Sequence, residues 1–376
     1  MLEHFKKKGK ASFLLGGQWG SEGKGAAAAF TAVHLAERRE MFDVVTTNAG
    51  AQAGHTSTHE GKTKVVFHLP TVALYPPMDA HGIERVQPLT YLNAGSIIDP
   101  IGLLKELDEN PGVACNFAIH PNAAVITEEC REAEMRDDSA QTKIASTRKG
   151  VGEALSRKIL RSGMVAKDHP VLSRWVRRVD LNDHMLRGDS VLVEVPQGHS
   201  LSIDGLFYPH TTSRNCTVAA AMSDAGIHPQ FYHQSMMVIR TFPIRVGAIT
   251  IDDGTGLDPN ERIYSSGGHY PDQREITWDE LGVKAEITTV TKRVRRVFTF
   301  SEIQVAEALA QTRPAVIYIT FMDYLPNREL ARTVVDRVRK LCAKNGSMSI
   351  RHDGPEILTQ WGPTTEDVIR AEDLWA

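Results

Sequence analysis

Ala11-Ser12-Phe13-Leu14-Leu15-Gly16-Gly17-Gln18-Trp19-Gly20-Ser21-Glu22-Gly23-Lys24-Gly25 decides the architecture of this chain. Ala11 to Leu15 reads as a short buried strand ending in glycines, and Gly25 to Arg38 has the alanines and charged end of a helix. A glycine-rich turn between strand and helix lets backbone N–H groups surround an anion, the helix N-terminus adds positive potential, and Lys24 supplies a point charge. The expectation is a phosphate cradle, although not a standard P-loop. Five residues separate Gly17 from Gly23 where that pattern has four, and Gly25 stands where a Ser or Thr would hold Mg²⁺, so a metal needs other ligands. The plainer alternative is a turn that only packs a helix onto a sheet.

Outward from this loop, strands and helices alternate. Val44 to Thr47 is a second strand, and Asp99-Pro100 opens a helix stopped by Asn110-Pro111-Gly112. Val191 to Val195 is a strand broken by Pro196. Ser301 and Gln304 form a capping-box signature ahead of a helix, and Ala315 to Thr320 reads as a buried strand. From Arg328 to Lys344, Leu330, Val334, Val338, Leu341 and Cys342 share a helical face, closed by Asn345-Gly346. The alternation predicts an α/β protein with a largely parallel central sheet. The stretch from about Met222 to Val297 is expected to hold an antiparallel excursion. No linker divides the chain, which is read as a single domain spanning 1–376.

The 376 residues carry 43 basic and 46 acidic side chains, a formal charge of -3, so no net positive field draws the protein to nucleic acid. Cys115, Cys130, Cys216 and Cys342 are scattered without C-x-x-C pairs or zinc-finger histidines, which fits reduced thiols. Phe13-Leu14-Leu15 is too short for a signal-peptide core or a membrane span, so a cytoplasmic location without membrane association is expected.

Several polar segments follow predicted strands. Asn48-Ala49-Gly50-Ala51-Gln52-Ala53-Gly54-His55-Thr56 offers small residues for close ligand approach and an imidazole for proton transfer. Ser146-Thr147-Arg148-Lys149-Gly150-Val151-Gly152 suits a monophosphate, and Glu194-Val195-Pro196-Gln197-Gly198 and Tyr208-Pro209-His210-Thr211-Thr212-Ser213-Arg214-Asn215 offer amides and hydroxyls. In an open parallel sheet such loops converge at the carboxyl ends of the strands. Arg293 and Arg295 would point the same way in an extended segment and clamp a dicarboxylate. Each segment alone is equally compatible with an ordinary polar loop.

Together, in this order, these segments resemble the adenylosuccinate synthetase family, from Gln18-Trp19-Gly20-Ser21-Glu22-Gly23-Lys24-Gly25 through Ala53-Gly54-His55-Thr56, Gln197-Gly198, Tyr208-Pro209 and Arg245-Val246-Gly247 to Gly362-Pro363. That family phosphorylates the 6-oxygen of a purine monophosphate and then lets the amine of L-aspartate displace the phosphate. One position departs: Ser21 stands where the family carries an aspartate. The serine is similar to that of a phage subfamily, the 2-amino-2'-deoxyadenylosuccinate synthases, which act on dGMP. A shorter neutral side chain leaves room for the guanine 2-amino group. A second departure is Thr320-Phe321-Met322-Asp323, where GTP-using members have Thr-Lys-x-Asp; Phe321 points to ATP or dATP as donor.

The resemblance implies roles position by position. Ser21, His55, Lys24 and Gln197 would serve catalysis, with His55 as general acid. Ser21, Gln52, Thr147, Gln197 and Thr212 would hold dGMP, joined by Arg161 from the second subunit of a homodimer. Thr291, Arg293 and Arg295 would bind L-aspartate. Gly20, Glu22, Gly23, Lys24, Gly25, Gly54, His55, Thr56, Asp323, Gly362 and Pro363 would bind the donor, and Ser21 with the Gly54 carbonyl would hold Mg²⁺. The competing readings are an ordinary adenylosuccinate synthetase using IMP and GTP, and a nucleotide-binding regulator without turnover. An oxidoreductase is disfavoured because the first loop lacks G-x-G-x-x-G.

Overall fold

The computed structural model describes residues 1–76, 87–250, 263–288, 292–345 and 354–376. Nine strands form its central sheet: β1 (Ala11–Gly16), β2 (Val44–Thr47), β3 (Leu89–Leu92), β4 (Phe117–Ile119), β5 (Val191–Gly198), β6 (Tyr232–Arg240), β7 (Val316–Thr320), β8 (Glu356–Gln360) and β9 (Val368–Arg370), in the order β9-β8-β7-β6-β1-β5-β2-β3-β4. Every pairing is parallel except that of β8 with β9. Helices that the site and core use are α1 (Lys24–Glu37), α2 (Pro100–Glu109), α3 (Val151–Ile159), α4 (Val218–Ala225), α5 (Glu302–Thr312) and α6 (Arg328–Lys344); a further helix, Glu128–Met135, and shorter helical turns lie between them.

β1 is fully buried at the middle of the sheet. Its side chains alternate: Leu14 packs into a cluster with Ala27, Ala28 and Phe30 of α1, whereas Phe13 and Leu15 pack on the other face with Val218, Ala221 and Met222 of α4. A third cluster joins Met237 and Ile239 of β6 and Ile317 and Ile319 of β7 to Val305 of α5 and Val335 of α6. Both faces of the sheet are covered, as a parallel sheet requires.

The expected α/β architecture is present, with local differences. β5 does not break at Pro196. It continues to Gly198, because β2 ends opposite Glu194 and the pairing with β1 shifts register between Leu14 and Gly16, where a missing N–H is tolerated. Asp99 caps α2 by accepting from the Ile101 N–H, and the helix stops at Glu109 with Asn110 as its C-cap; a separate short helix follows over Pro111–Cys115. The expected antiparallel excursion begins later than Met222, since β6 lies inside that stretch as a central parallel strand; small antiparallel pairings follow it, as between Ile244–Arg245 and Arg296–Phe298. At α5, Ser301 accepts from the Gln304 N–H, while the Gln304 amide donates to Ser200 Oγ at 3.0 Å rather than completing the box. On α6, Val334, Val338, Leu341 and Cys342 are buried but Leu330 is exposed; Gly346 lies outside the described residues. Among the described residues, no helix is long and apolar enough to cross a membrane.

Candidate functional site

The loops after β1, β2, β5, β6 and β7 all leave from the carboxyl ends of their strands, so the polar segments that follow these strands share one edge of the sheet. The loop after β1 is built around Glu22, a fully buried carboxylate. Its Oε1 accepts from the Gln18 N–H at 3.0 Å and the Gly20 N–H at 2.8 Å, and its Oε2 accepts from Lys24 Nζ at 2.7 Å. Gly20, Ser21 and Gly23 have φ of +84°, +57° and +86°, the left-handed turns that swing the carboxylate inward. Two N–H groups that the sequence suggests for phosphate are thus occupied by Glu22, and Lys24 is paired. Gly25 has its own reason: a side chain there would run into the backbone of Thr56, so α1 packs directly on the strand carrying His55. The position has no room for a metal-binding hydroxyl.

His55 is buried, its Nδ1 3.9 Å from Glu194 Oε2, and its Nε2 has no partner. Burial, reinforced by the charge of Lys24, pushes the imidazole down to about 3, so it is neutral in the ligand-free protein. Glu194 accepts from the Thr71 and Val72 N–H groups at 2.9 and 2.7 Å. Burial nevertheless raises it to about 7. Glu194 lay in a segment quoted from the sequence without a role; only its place beside His55 reveals one.

A cavity of about 340 Å³ opens at the carboxyl end of β5. Gln52, Thr147 and Thr212 from three loops and Gln197 from the end of β5 all line it, together with Trp19, Tyr208 and Arg245. Gln52 Oε1 is buried without a partner. Arg245, which the sequence marked only as part of a shared motif, donates to the carbonyls of Gly268 and His210 at 3.0 and 2.8 Å and lies over the rings of Trp19 and Phe207. Burial lowers it to about 9.

The remaining expected residues fall in different places. Arg293 is committed to the chain itself: Nη1 donates to the Gly247 carbonyl at 2.9 Å and Nη2 to the Ser146 carbonyl at 3.0 Å, stapling the Thr147 loop. Arg295 lies 3.6 Å from Glu286 Oε2. Thr291 lies outside the described residues. Asp323 is exposed on the loop after β7; partial desolvation holds its carboxyl above the usual range, and it feels Asp367, whose carboxylate abuts Gly362. Gly362 and Pro363 therefore sit on the same side as Asp323. Gly54 packs against the Phe67 ring, and Thr56 is exposed. Arg161 is exposed at the end of α3, away from the cavity, beside exposed Ile159 and Leu160.

A glycine loop with a buried lysine, a buried histidine and a cavity lined by amides and hydroxyls on one parallel sheet fit the nucleotide-dependent carbon–nitrogen ligase that the resemblance implies. The chain belongs to the adenylosuccinate synthetase family, whose model matches residues 13–177 and 174–335. Among its relatives, the N6-succino-2-amino-2'-deoxyadenylate synthases of Vibrio phage phiVC8 and Salmonella phage PMBT28 are 34% and 33% identical, covering 95% and 96% of this chain and 97% of each relative. The succinoaminodeoxyadenylate synthetase of Cyanophage S-2L, solved bound to dGMP and dATP as an energy donor, superposes with a TM-score of 0.77 at 30% identity, over 97% of this chain and 98% of that one. The fully ligated adenylosuccinate synthetase of Plasmodium falciparum, at 18% identity and a TM-score of 0.70, shares the fold.

Proposed function

We propose that this chain is a single-domain ligase that joins dGMP to L-aspartate with ATP or dATP as phosphoryl donor. The γ-phosphoryl group passes to O6 of the guanine. The aspartate amine then attacks C6 and expels inorganic phosphate, leaving 2-amino-2'-deoxy-N6-succinyladenylate and the nucleoside diphosphate. The observation that carries this reading is Ser21. It occupies the family's aspartate position on a left-handed turn, exposed, with its carbonyl held by Arg240 Nη1 at 3.2 Å. A carboxylate there suits a 6-oxopurine without a 2-substituent; a hydroxymethyl group leaves space and a hydrogen-bond acceptor for an exocyclic amine.

His55 acts as general acid toward the transferring phosphoryl group and the charge developing on O6. Its unpaired Nε2 is the atom available for this. Burial is the larger cause of the lowered imidazole and the Lys24 charge the smaller; arriving phosphates oppose the Lys24 part, so donor binding raises the proton affinity of His55. Glu194 sits on the Nδ1 side and orients the ring. Gln52, Thr147 and Thr212 hold the 5'-phosphate, Gln197 the base, and Arg295 an aspartate carboxylate. Phe321, in place of the guanine-reading lysine, supports an adenine donor.

Ser21 Oγ and the Gly54 carbonyl are hard oxygen donors, and among the described residues no group of three or more His, Cys, Asp or Glu could hold a metal. Magnesium suits such a set, because it uses one or two protein oxygens beside substrate phosphates. When bound, it would neutralise charge on the transferring phosphoryl group. Exposed Ile159 and Leu160 beside Arg161 support a homodimer in which Arg161 reaches the neighbouring monophosphate. The substrates are small cytoplasmic metabolites, which supports that location.

The direct test is Ser21→Asp. Purified variant and parent are compared for kcat/KM with dGMP and with IMP. The preference for dGMP is expected to fall by about 100-fold or to reverse; an unchanged ratio sinks the reading.

A further inference from the structure

Arg240 ends β6 and is completely buried, yet no local sequence signal marked it. Its backbone N–H and carbonyl are both held by the Gln18 amide, at 2.9 and 3.1 Å. Its guanidinium meets three separate parts of the site. Nη1 donates to the Ser21 carbonyl at 3.2 Å. Nη2 donates to Glu286 Oε1, and Nη1 lies 3.3 Å from Oε2. The guanidinium carbon lies 3.8 Å from the centroid of the Phe321 ring, itself on a left-handed turn after β7.

Glu286 is the second hub. Besides Arg240 it takes Arg295 at 3.6 Å and the Tyr324 hydroxyl at 3.1 Å. Its carboxyl stays below the usual range despite burial, because Arg240 and Arg295 flank it. A buried arginine is tolerable only when paired and hydrogen-bonded, and a planar fork can serve a carboxylate, a carbonyl and an aromatic face at once, as an ammonium cannot.

We propose that Arg240 is a positioning residue that sets the geometry of three subsites together: the turn that presents Ser21 to the acceptor base, Arg295 for the aspartate carboxylate by way of Glu286, and the Phe321 loop for the donor base. This rests on the subsite roles given above. Arg240 touches none of the substrates; it fixes the groups that do. Phe321 in place of lysine belongs to the same arrangement, since a lysine there would put a second cation against Arg240, whereas the ring offers its negative face.

The test is steady-state kinetics on Arg240→Met, Arg240→Lys, Glu286→Gln and Phe321→Leu, with KM measured for acceptor, aspartate and donor, and folding checked by thermal melts. Arg240→Met is expected to lower kcat about 100-fold, since small misplacement of reacting groups has that effect. It should also raise KM for both aspartate and donor about tenfold. Arg240→Lys keeps a charge for Glu286 and recovers part of the aspartate KM but not the donor KM. Glu286→Gln raises the aspartate KM alone, and Phe321→Leu the donor KM alone. Melting temperatures that fall while kcat and all three KM values stay at parental levels overturn the proposal. If Arg240→Met fails to fold, Glu286→Gln and Phe321→Leu decide it: parental aspartate and donor KM values in both contradict the coupling. The acceptor reading fails separately, in the parent enzyme, if IMP is used and dGMP is not; the variants are then measured with IMP.

Discussion

The loop after β1 and the cavity beside it both carry buried polar groups, yet they are finished to different degrees. In the loop, Glu22 and Lys24 satisfy each other and the carboxylate closes the Gln18 and Gly20 N–H groups. In the cavity and at His55, buried polar atoms such as Gln52 Oε1 and His55 Nε2 have no partner. Buried polar groups cost free energy unless they are hydrogen-bonded. The difference therefore separates scaffold from receptor: the loop is held by its own chain, and the cavity groups gain their partners from a ligand. The two regions should respond to substitution in opposite ways.

The largest effect is expected on the receptor side. His55→Asn should reduce kcat by about 100-fold or more, the usual range for a lost general acid, with KM for dGMP little changed. A loss spread equally over kcat and substrate affinity would mean that His55 binds rather than reacts. On the scaffold side, Glu22→Ala strands Lys24 in a buried site and should cost about 3–5 kcal/mol of stability, read from urea unfolding; a loss under about 1 kcal/mol would show that the pair does not hold the loop. Gln52→Leu reverses this pattern. Stability should hold or rise, because an unsatisfied oxygen is removed, while KM for the acceptor nucleotide rises about tenfold.

The smallest effect separates His55 from Glu194 by pH. His55 is lowered to about 3, so its contribution to stability is present above its ordinary value of 6.5 and is lost as pH falls. Glu194 is raised to about 7, so its contribution is full below its ordinary value of 4.5 and is lost as pH rises through 7. In the parent the two oppose each other between these values. Glu194→Gln removes the second, so the stability of the variant should climb more steeply from about pH 5 to pH 7 than that of the parent. Parallel curves would place the raised ionisation elsewhere.

Which parts of this were legible in the sequence follows from range. β1, α1 and α6 announce themselves through neighbouring residues: glycines after an apolar run, or Val334, Val338 and Leu341 at helical spacing. The Gln52 and Gln197 segments were legible as polar stretches after strands, and their convergence follows from parallel topology; the Thr147 segment follows the short helix Ala140–Lys143, and its place in the cavity does not follow from strand order. β6 was hidden because it is buried on both faces and shows no alternation to separate it from its surroundings. The inward turn of Glu22 depends on left-handed positions at Gly20, Ser21 and Gly23, one of which is not a glycine, so residue types alone do not specify it. Arg240 and Glu286 are 46 residues apart, and Arg293, read as a free clamp, spends its donors on carbonyls of distant loops. Such pairings arise only when the chain is folded.

The account stands or falls on the base that this site accepts. With dGMP, GMP, IMP and dIMP competing for limiting aspartate in the presence of ATP and Mg²⁺, mass analysis of the products is expected to show the succinyl adduct of the 2-amino purine deoxynucleotide as the dominant species. Adducts formed from IMP or dIMP in preference to dGMP would contradict it.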